Sequence, residues 1–370
     1  MMKRKIEFKK VVAIILCVLS CVCCFACKKR KNEVELNRDF KNVILVIGDG
    51  MGENHILNAI DYFDLDIPIF LADQKGYIDT NSLDGLTDSA AGGTALATGV
   101  SVYNGNIAQL DGVDLKQITT YAQEANMKTG VITTDSLGGA TPSAFSAHAY
   151  ARSSIVEIIN TQVDSGINLL IGEEDSNYSN RATWFPAQGY AFARSKEQLV
   201  DKKSSEKLMG SIRNVGSQYI PGKEDSYQLK DMAKFAIEYL ENDYGFFLMI
   251  EGAYIDKYSH NNEYHNAMSE VRSLIDTIEF LYEYASDGET AIFITADHET
   301  GGLIRESDKT KMSNELYTTG GHTDVNVPLF VKNYAFNITN FGYLIGDVPK
   351  NTIVFEACKS IIYKNNVWGD

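Results

Sequence analysis

Ser89 stands one residue after an acid and opens a run of small residues, "TDSAAGGTA" (87–95), a setting in which a hydroxyl can serve as a nucleophile. Adjacent glycines inside a helix-favouring stretch each cost roughly 0.5–1 kcal/mol relative to alanine. Gly92 and Gly93 are therefore expected where something must come close to the backbone. Groups that suit metal ions lie elsewhere: Asp49 in "VIGDG", Glu251 in "MIEG", Asp297 and His298 in "TADH", and His322 in "GGHTD". Asp256 and His260 in "IDKYSH" are four apart, which puts both on one face if the segment is helical. Neutral imidazole and carboxylate are the usual zinc ligands of enzyme sites. His260, His298 and His322 each have an acid or a glycine turn beside them. His55, His148 and His265 lack such company and read as packing, capping or surface residues.

The elements that would position these groups are short β-branched runs: 42–52, 130–135, 246–252, 291–298 and 327–333. Continuous hydrophobicity of that kind marks strands buried on both faces. Helical patterns lie between them, such as 267–285, where Met268, Val271, Ile275, Ile278 and Tyr282 recur at a spacing of three or four. Alternating strands and helices predict an α/β fold, a three-layer α/β/α sandwich around a largely parallel sheet. Asp49, Glu251, Asp297 and His298 each end an apolar run, and ligands of open α/β sheets bind beyond the carboxyl ends of the strands. These side chains should gather at one edge. Residues 160–245 show little periodicity and are expected as a long surface excursion or lid.

Six stretches, "VIGDGMG", "TDSAAGGTALATG", "ATPSAFSAHAYAR", "IEGAYIDKYSH", "TADHETGG" and "GGHTDVNVP", resemble the alkaline phosphatase family in both content and order. The resemblance implies hydrolysis of phosphate monoesters, with Ser89 transiently phosphorylated and small residues beside it leaving room for a phosphoryl group and two metals. It implies that Asp256, His260 and His322 hold one zinc, and that Asp49, Asp297 and His298 hold a second, with Ser89 bound between them. Asp49 would also bridge to a magnesium completed by Thr141 and Glu251. Two metals about 3.5–4 Å apart stabilise the attacking and leaving oxygens of an in-line displacement. Arg152 would grip phosphate in a fork that lysine cannot reproduce, with Asp88 orienting it. Lys257 would reach bound phosphate through water. Two residues before Thr141, where family members often carry Asp or His, this chain has Gly139. Lys257 is therefore expected to lack its carboxylate partner and the magnesium to be weakly held. Two alternatives stay open: a related two-metal hydrolase acting on phosphodiesters or sulfate esters, and a surface lipoprotein that binds metal or phosphate without turnover.

The 370 residues are 44% hydrophobic and 22% charged, an ordinary globular composition, and the net charge is -15. Such acidity argues against nucleic acid as a partner, since a binder of nucleic acid shows a basic footprint. Residues 1–10 are basic and 11–27 apolar, the layout of a secretory signal. Five of the six cysteines fall inside it, and only Cys358 lies in the body, so no disulfide framework is expected. Cys27 after Ala26, or Cys21 after Ser20, resembles the lipidated cysteine of a bacterial lipobox. An ordinary cleaved signal and an uncleaved anchor are the alternatives. The layout predicts an exported protein, periplasmic or at the cell surface, held to the membrane through a lipid or anchor. Residues 28–40 read as a charged tether and 41–370 as the catalytic domain. The resemblance also allows a homodimer.

Overall fold

The computed structural model describes residues 40–65 and 71–364. The signal, its cysteines and nearly all of the tether fall outside the described residues.

Strand β1 (Asn42–Gly48) is buried along its whole length. Its branched side chains, Val43 to Ile47, are at most 1% exposed. It runs parallel to β7 (Phe246–Gly252) on one side and β8 (Thr290–Thr295) on the other. The same sheet takes in β3 (Lys128–Thr133), β4 (Leu169–Glu173), β5 (Ala191–Ala193) and β6 (Leu208–Ile212), which lie before β7 in the chain. With β2 (Gln74–Ile78) and β9 (Val327–Lys332), the sheet has nine strands among the described residues, in the order β2-β9-β8-β1-β7-β3-β4-β6-β5. All pairings are parallel except those of β9, which runs antiparallel to both β8 and β2.

Two sets of helices cover the sheet. One comprises α2 (Ser89–Thr98), α3 (Ile118–Glu124), α4 (Ala140–Ser146), α5 (Ile155–Asp164) and α9 (Thr352–Lys364), each packed on at least one other. The other comprises α1 (Glu53–Phe63), α6 (Leu229–Leu240), α7 (Tyr254–His260) and α8 (Tyr264–Tyr284), again in mutual contact. Sheet between two helical layers is the α/β/α architecture expected from the alternation of elements. Cys358 lies buried in α9 as a free thiol.

Residues 160–245 are not a lid. They supply β4, β6 and β5, which extend the central sheet, and helix α6, whose Met232, Ala233, Ala236 and Leu240 are fully buried. The strands there are only three to five residues long and separated by polar loops. No strand in that segment is long enough to show a period, which is why its pattern reads as irregular, and only α6, with Leu229, Met232, Ala233, Ala236, Ile237 and Leu240 buried at a spacing of three or four, carries a helical one.

Candidate active site

The site forms where four adjacent strands, β8, β1, β7 and β3, end together. Their register is shared: Ile47 lies level with both Thr295 and Glu251, and Glu251 lies level with Thr133. Asp49 and the pair Asp297–His298 follow two and three residues beyond that line, so parallel pairing alone carries acids from distant sequence positions to one edge. Helix α2 points its N-terminus at the same edge. Asp88 caps it by accepting from the Ala91 amide at 2.9 Å, and Ser89 follows as the first helical residue, 4% exposed. The Ser89 Oγ is 3.1 Å from His298 Nε2. Helix α7 brings Asp256 and His260, and a two-stranded ribbon, Glu299–Thr300 against His322–Thr323, brings His322.

Two groups of donor atoms result, Asp49–Asp297–His298 and Asp256–His298–His322, each with its atoms within 4.8 Å of one another. His260 Nε2 joins the second group, 3.1 Å from His322 Nε2 and 3.4 Å from Asp256 Oδ1. All six expected zinc ligands are thus assembled. The division is less clean than expected, because His298 belongs to both groups, its ring 3.6 Å centroid to centroid from His322.

Hydrogen bonds assign the imidazole tautomers. His260 Nδ1 lies 2.7 Å from the Gly320 carbonyl and His322 Nδ1 lies 2.7 Å from the Thr87 carbonyl. A carbonyl only accepts, so each Nδ1 carries the proton and each Nε2 offers a lone pair to the cluster. His298 Nδ1 is 3.2 Å from Thr300 Oγ1, and that hydroxyl donates to Asp256 Oδ1 at 2.5 Å. Thr300 therefore accepts from His298 and orients both a histidine and an acid, a role that sequence reasoning missed. Its position two residues after His298 in "TADHETGG" was the available signal.

The electrostatics call for cations. Asp49 Oδ1 is buried without a hydrogen-bond partner. Burial, then repulsion from Asp297, Asp256 and Glu251, holds the Asp49 carboxyl well above the usual carboxylate range. Burial and Asp256 push Asp297 up to about 7, and burial pushes Glu251 up to about 8. Burial, with its neighbours His322 and His260, holds His298 well below the usual imidazole value. Buried anions are costly unless paired or bound to metal, and carboxylates facing three imidazole lone pairs are a donor set that suits zinc. The residues present fit two divalent ions.

Around the third expected cation, Thr141 Oγ1 lies 3.5 Å from Asp297 Oδ2, and Glu251 accepts from the Thr133 hydroxyl. Arg152 Nη1 pairs with Asp88 Oδ2 at 3.1 Å, and the same carboxylate takes the Gly105 amide. Asp88 is therefore both helix cap and guanidinium holder. Lys257 is not without a carboxylate: its Nζ lies 2.5 Å from Asp135 Oδ1. Asp135 stands four residues before position 139 and 122 before Lys257, so no local spacing in the sequence pairs the two. The adjacent glycines also serve a different end from the one expected. A Cβ on Gly92 would lie 2.6 Å from the Asp297 carbonyl oxygen, and one on Gly93 would lie 3.3 Å from Thr141 Cα. What approaches the helix is the rest of the protein, and the close packing seats Ser89 against the Asp297 loop. His55, His148 and His265 are engaged with Ser259, the Leu115 carbonyl and Tyr62, away from the cluster, as expected.

The family model described as alkaline phosphatase matches residues 40–173 and 173–337. Alkaline phosphatase 4 of Bacillus subtilis is 33% identical over 302 residues, covering 75% of this chain and 64% of that protein. Alkaline phosphatase 3 of the same organism is 31% identical, covering 76% and 65%. The chain thus spans just under two thirds of the length of these curated relatives. Among solved structures, the alkaline phosphatase of the Antarctic bacterium TAB5 superposes with a TM-score of 0.77 at 27% identity, covering 90% of this chain and 99% of that one. A histidine-to-glutamate variant of that enzyme, solved with magnesium bound in its M3 site, gives a TM-score of 0.76 at 28% identity.

Proposed function

Since this chain belongs to the alkaline phosphatase family, we propose that it hydrolyses phosphate monoesters through a phosphoserine formed on Ser89. The observation that carries the reading is the Ser89 hydroxyl at a helix N-terminus, 3.1 Å from the buried His298, beside the buried acids Asp49, Asp256 and Asp297 and the more open His260 and His322. Asp49, Asp297 and His298 would hold one zinc and Asp256, His260 and His322 the other, with magnesium near Glu251 and Thr141. Such ions, when bound, lower the pKa of a coordinated hydroxyl and offset the charge that develops on attacking and leaving oxygens.

The residues divide the remaining work. Ser89 Oγ attacks phosphorus, a new P–O bond forms, and the P–O bond to the alcohol breaks opposite it. The alcohol leaves with the proton that the Ser89 hydroxyl gives up. Water then attacks the phosphoserine from the vacated side, releasing phosphate and restoring the hydroxyl. The N-terminus of α2 presents free amides and partial positive charge to the phosphoryl oxygens. Arg152, kept in place by Asp88, supplies two parallel N–H donors to the same group. The test is a panel of an aryl phosphate, a bis-aryl phosphate diester and an aryl sulfate. Phosphate should be released from the monoester at a rate at least about a hundredfold above the other two. A diester or sulfate ester cleaved as fast as the monoester overturns the assignment, and no turnover of any of them leaves a binding protein.

Export and lipid anchoring are part of the same proposal, motivated by the basic and apolar N-terminus that ends in cysteines. Labelled fatty acid should be incorporated in a bacterial host and lost on Cys27→Ser or Cys21→Ser. Absence of label, or label that survives both changes, points to an ordinary signal or an uncleaved anchor.

A further inference from the structure

The loop leaving β3 carries Asp135, which belongs to neither donor group but is tightly placed beside them. Its amide donates to Thr133 Oγ1 at 2.9 Å, and that hydroxyl in turn donates to Glu251. Its carbonyl accepts from the Glu173 amide at 2.6 Å. Its carboxylate is 2.5 Å from Lys257 Nζ, and the ammonium also sits 4.5 Å from the centroid of the Tyr254 ring, whose hydroxyl donates to Glu173. The Lys257 side chain is 41% exposed and that of Asp135 22%, so the pair adds little to stability. What it fixes is where the charge next to Asp256 sits.

Gly139 explains the arrangement from the other side. Its backbone, φ -57° and ψ 156°, is open to any residue. The space is not. A Cβ at 139 would lie 2.8 Å from Asp135 Oδ2 and 3.1 Å from the Ser136 carbonyl. A side chain at 139 would press on the Asp135 carboxylate and turn it from its present place beside Lys257.

We propose that Asp135 is the positioning residue of Lys257 and the outer anchor of the magnesium site, its carboxylate reaching in from position 135 where Gly139 supplies none. An unpaired ammonium beside Asp256 and Glu251 would compete with divalent cations for those carboxylates. Paired with Asp135 and packed on Tyr254, Lys257 is drawn off them while keeping an N–H for a phosphate oxygen. The inference rests on the phosphatase reading, and its primary readout is independent of turnover.

The test is a double-mutant cycle between positions 135 and 139 in the zinc-loaded protein, with magnesium binding measured by calorimetry. Asp135→Ala should weaken magnesium about 10–100-fold and raise KM for an aryl phosphate more than it lowers kcat. Gly139→Asp alone sets a second carboxylate against that of Asp135, turns it from Lys257 and should also weaken magnesium. The double variant Asp135→Ala/Gly139→Asp should return to within about threefold of wild type, a non-additivity expected only of groups in direct contact. Asp135→Asn keeps the shape and should still lose affinity, which serves if the alanine variant folds poorly. Additive losses in the double variant, or unchanged magnesium affinity in Asp135→Asn, overturn the proposal. Coupling seen by calorimetry in a protein that cleaves no ester would retain the cation site and remove the phosphatase reading.

Discussion

Ser89→Ala should lower phosphate release at least about a thousandfold, because the covalent route loses its nucleophile and the two displacements collapse into one unassisted attack by water. The change is small in every other respect. Ser89 is the first residue of α2, the cap is Asp88, and the Asp88–Ala91 bond remains. Thermal stability and zinc content should therefore match the wild type, which separates a chemical loss from a folding loss. Acid-quenched protein should carry labelled phosphate in the wild type and none in the variant. Turnover close to wild type would sink the assignment of Ser89, whatever the metals do.

Chelation should abolish activity, and zinc should restore it. The same metal-free protein should show a pH signature set by its buried acids. Asp297 and Glu251 are raised to about 7 and about 8, and Glu270, buried in α8, to about 7. Each binds its proton more tightly folded than unfolded, so each contributes stability at low pH that is lost as pH rises through the folded value. His298 and His55 are depressed and neutral in both states above their ordinary range, so they add no slope there. The melting temperature of the metal-free protein should therefore fall between about pH 6.5 and 8.5. Zinc requires the ligand acids deprotonated and should remove most of that fall. A melting temperature flat across this window without metal, or activity unchanged by chelation, would refute the two-metal site.

Much of this site can be read along the chain because its pieces are short and local. A β-branched run ending in an acid is a strand that delivers a carboxylate to the sheet edge, as Asp49, Glu251 and Asp297 do. "TDSAA" is a cap followed by a nucleophile, and Asp256 with His260 is one helical turn. The order of strands is not written that way. The short strands of 160–245 have no pattern of their own and join the sheet because β3 is there to pair with β4.

Sequence by itself determined which residue types stand at the strand ends and at the start of α2, since hydrophobic period, cap and turn act over a few residues. Tertiary structure alone decided who meets whom. Ser89 and His298 are 209 residues apart, and Lys257 and Asp135 are 122 apart. Their contacts depend on strand register and on how closely one backbone can approach another. That is why His298 lies in both donor groups, why Gly92 receives a carbonyl rather than a substrate, and why a carboxylate at 135 takes the space left open at 139.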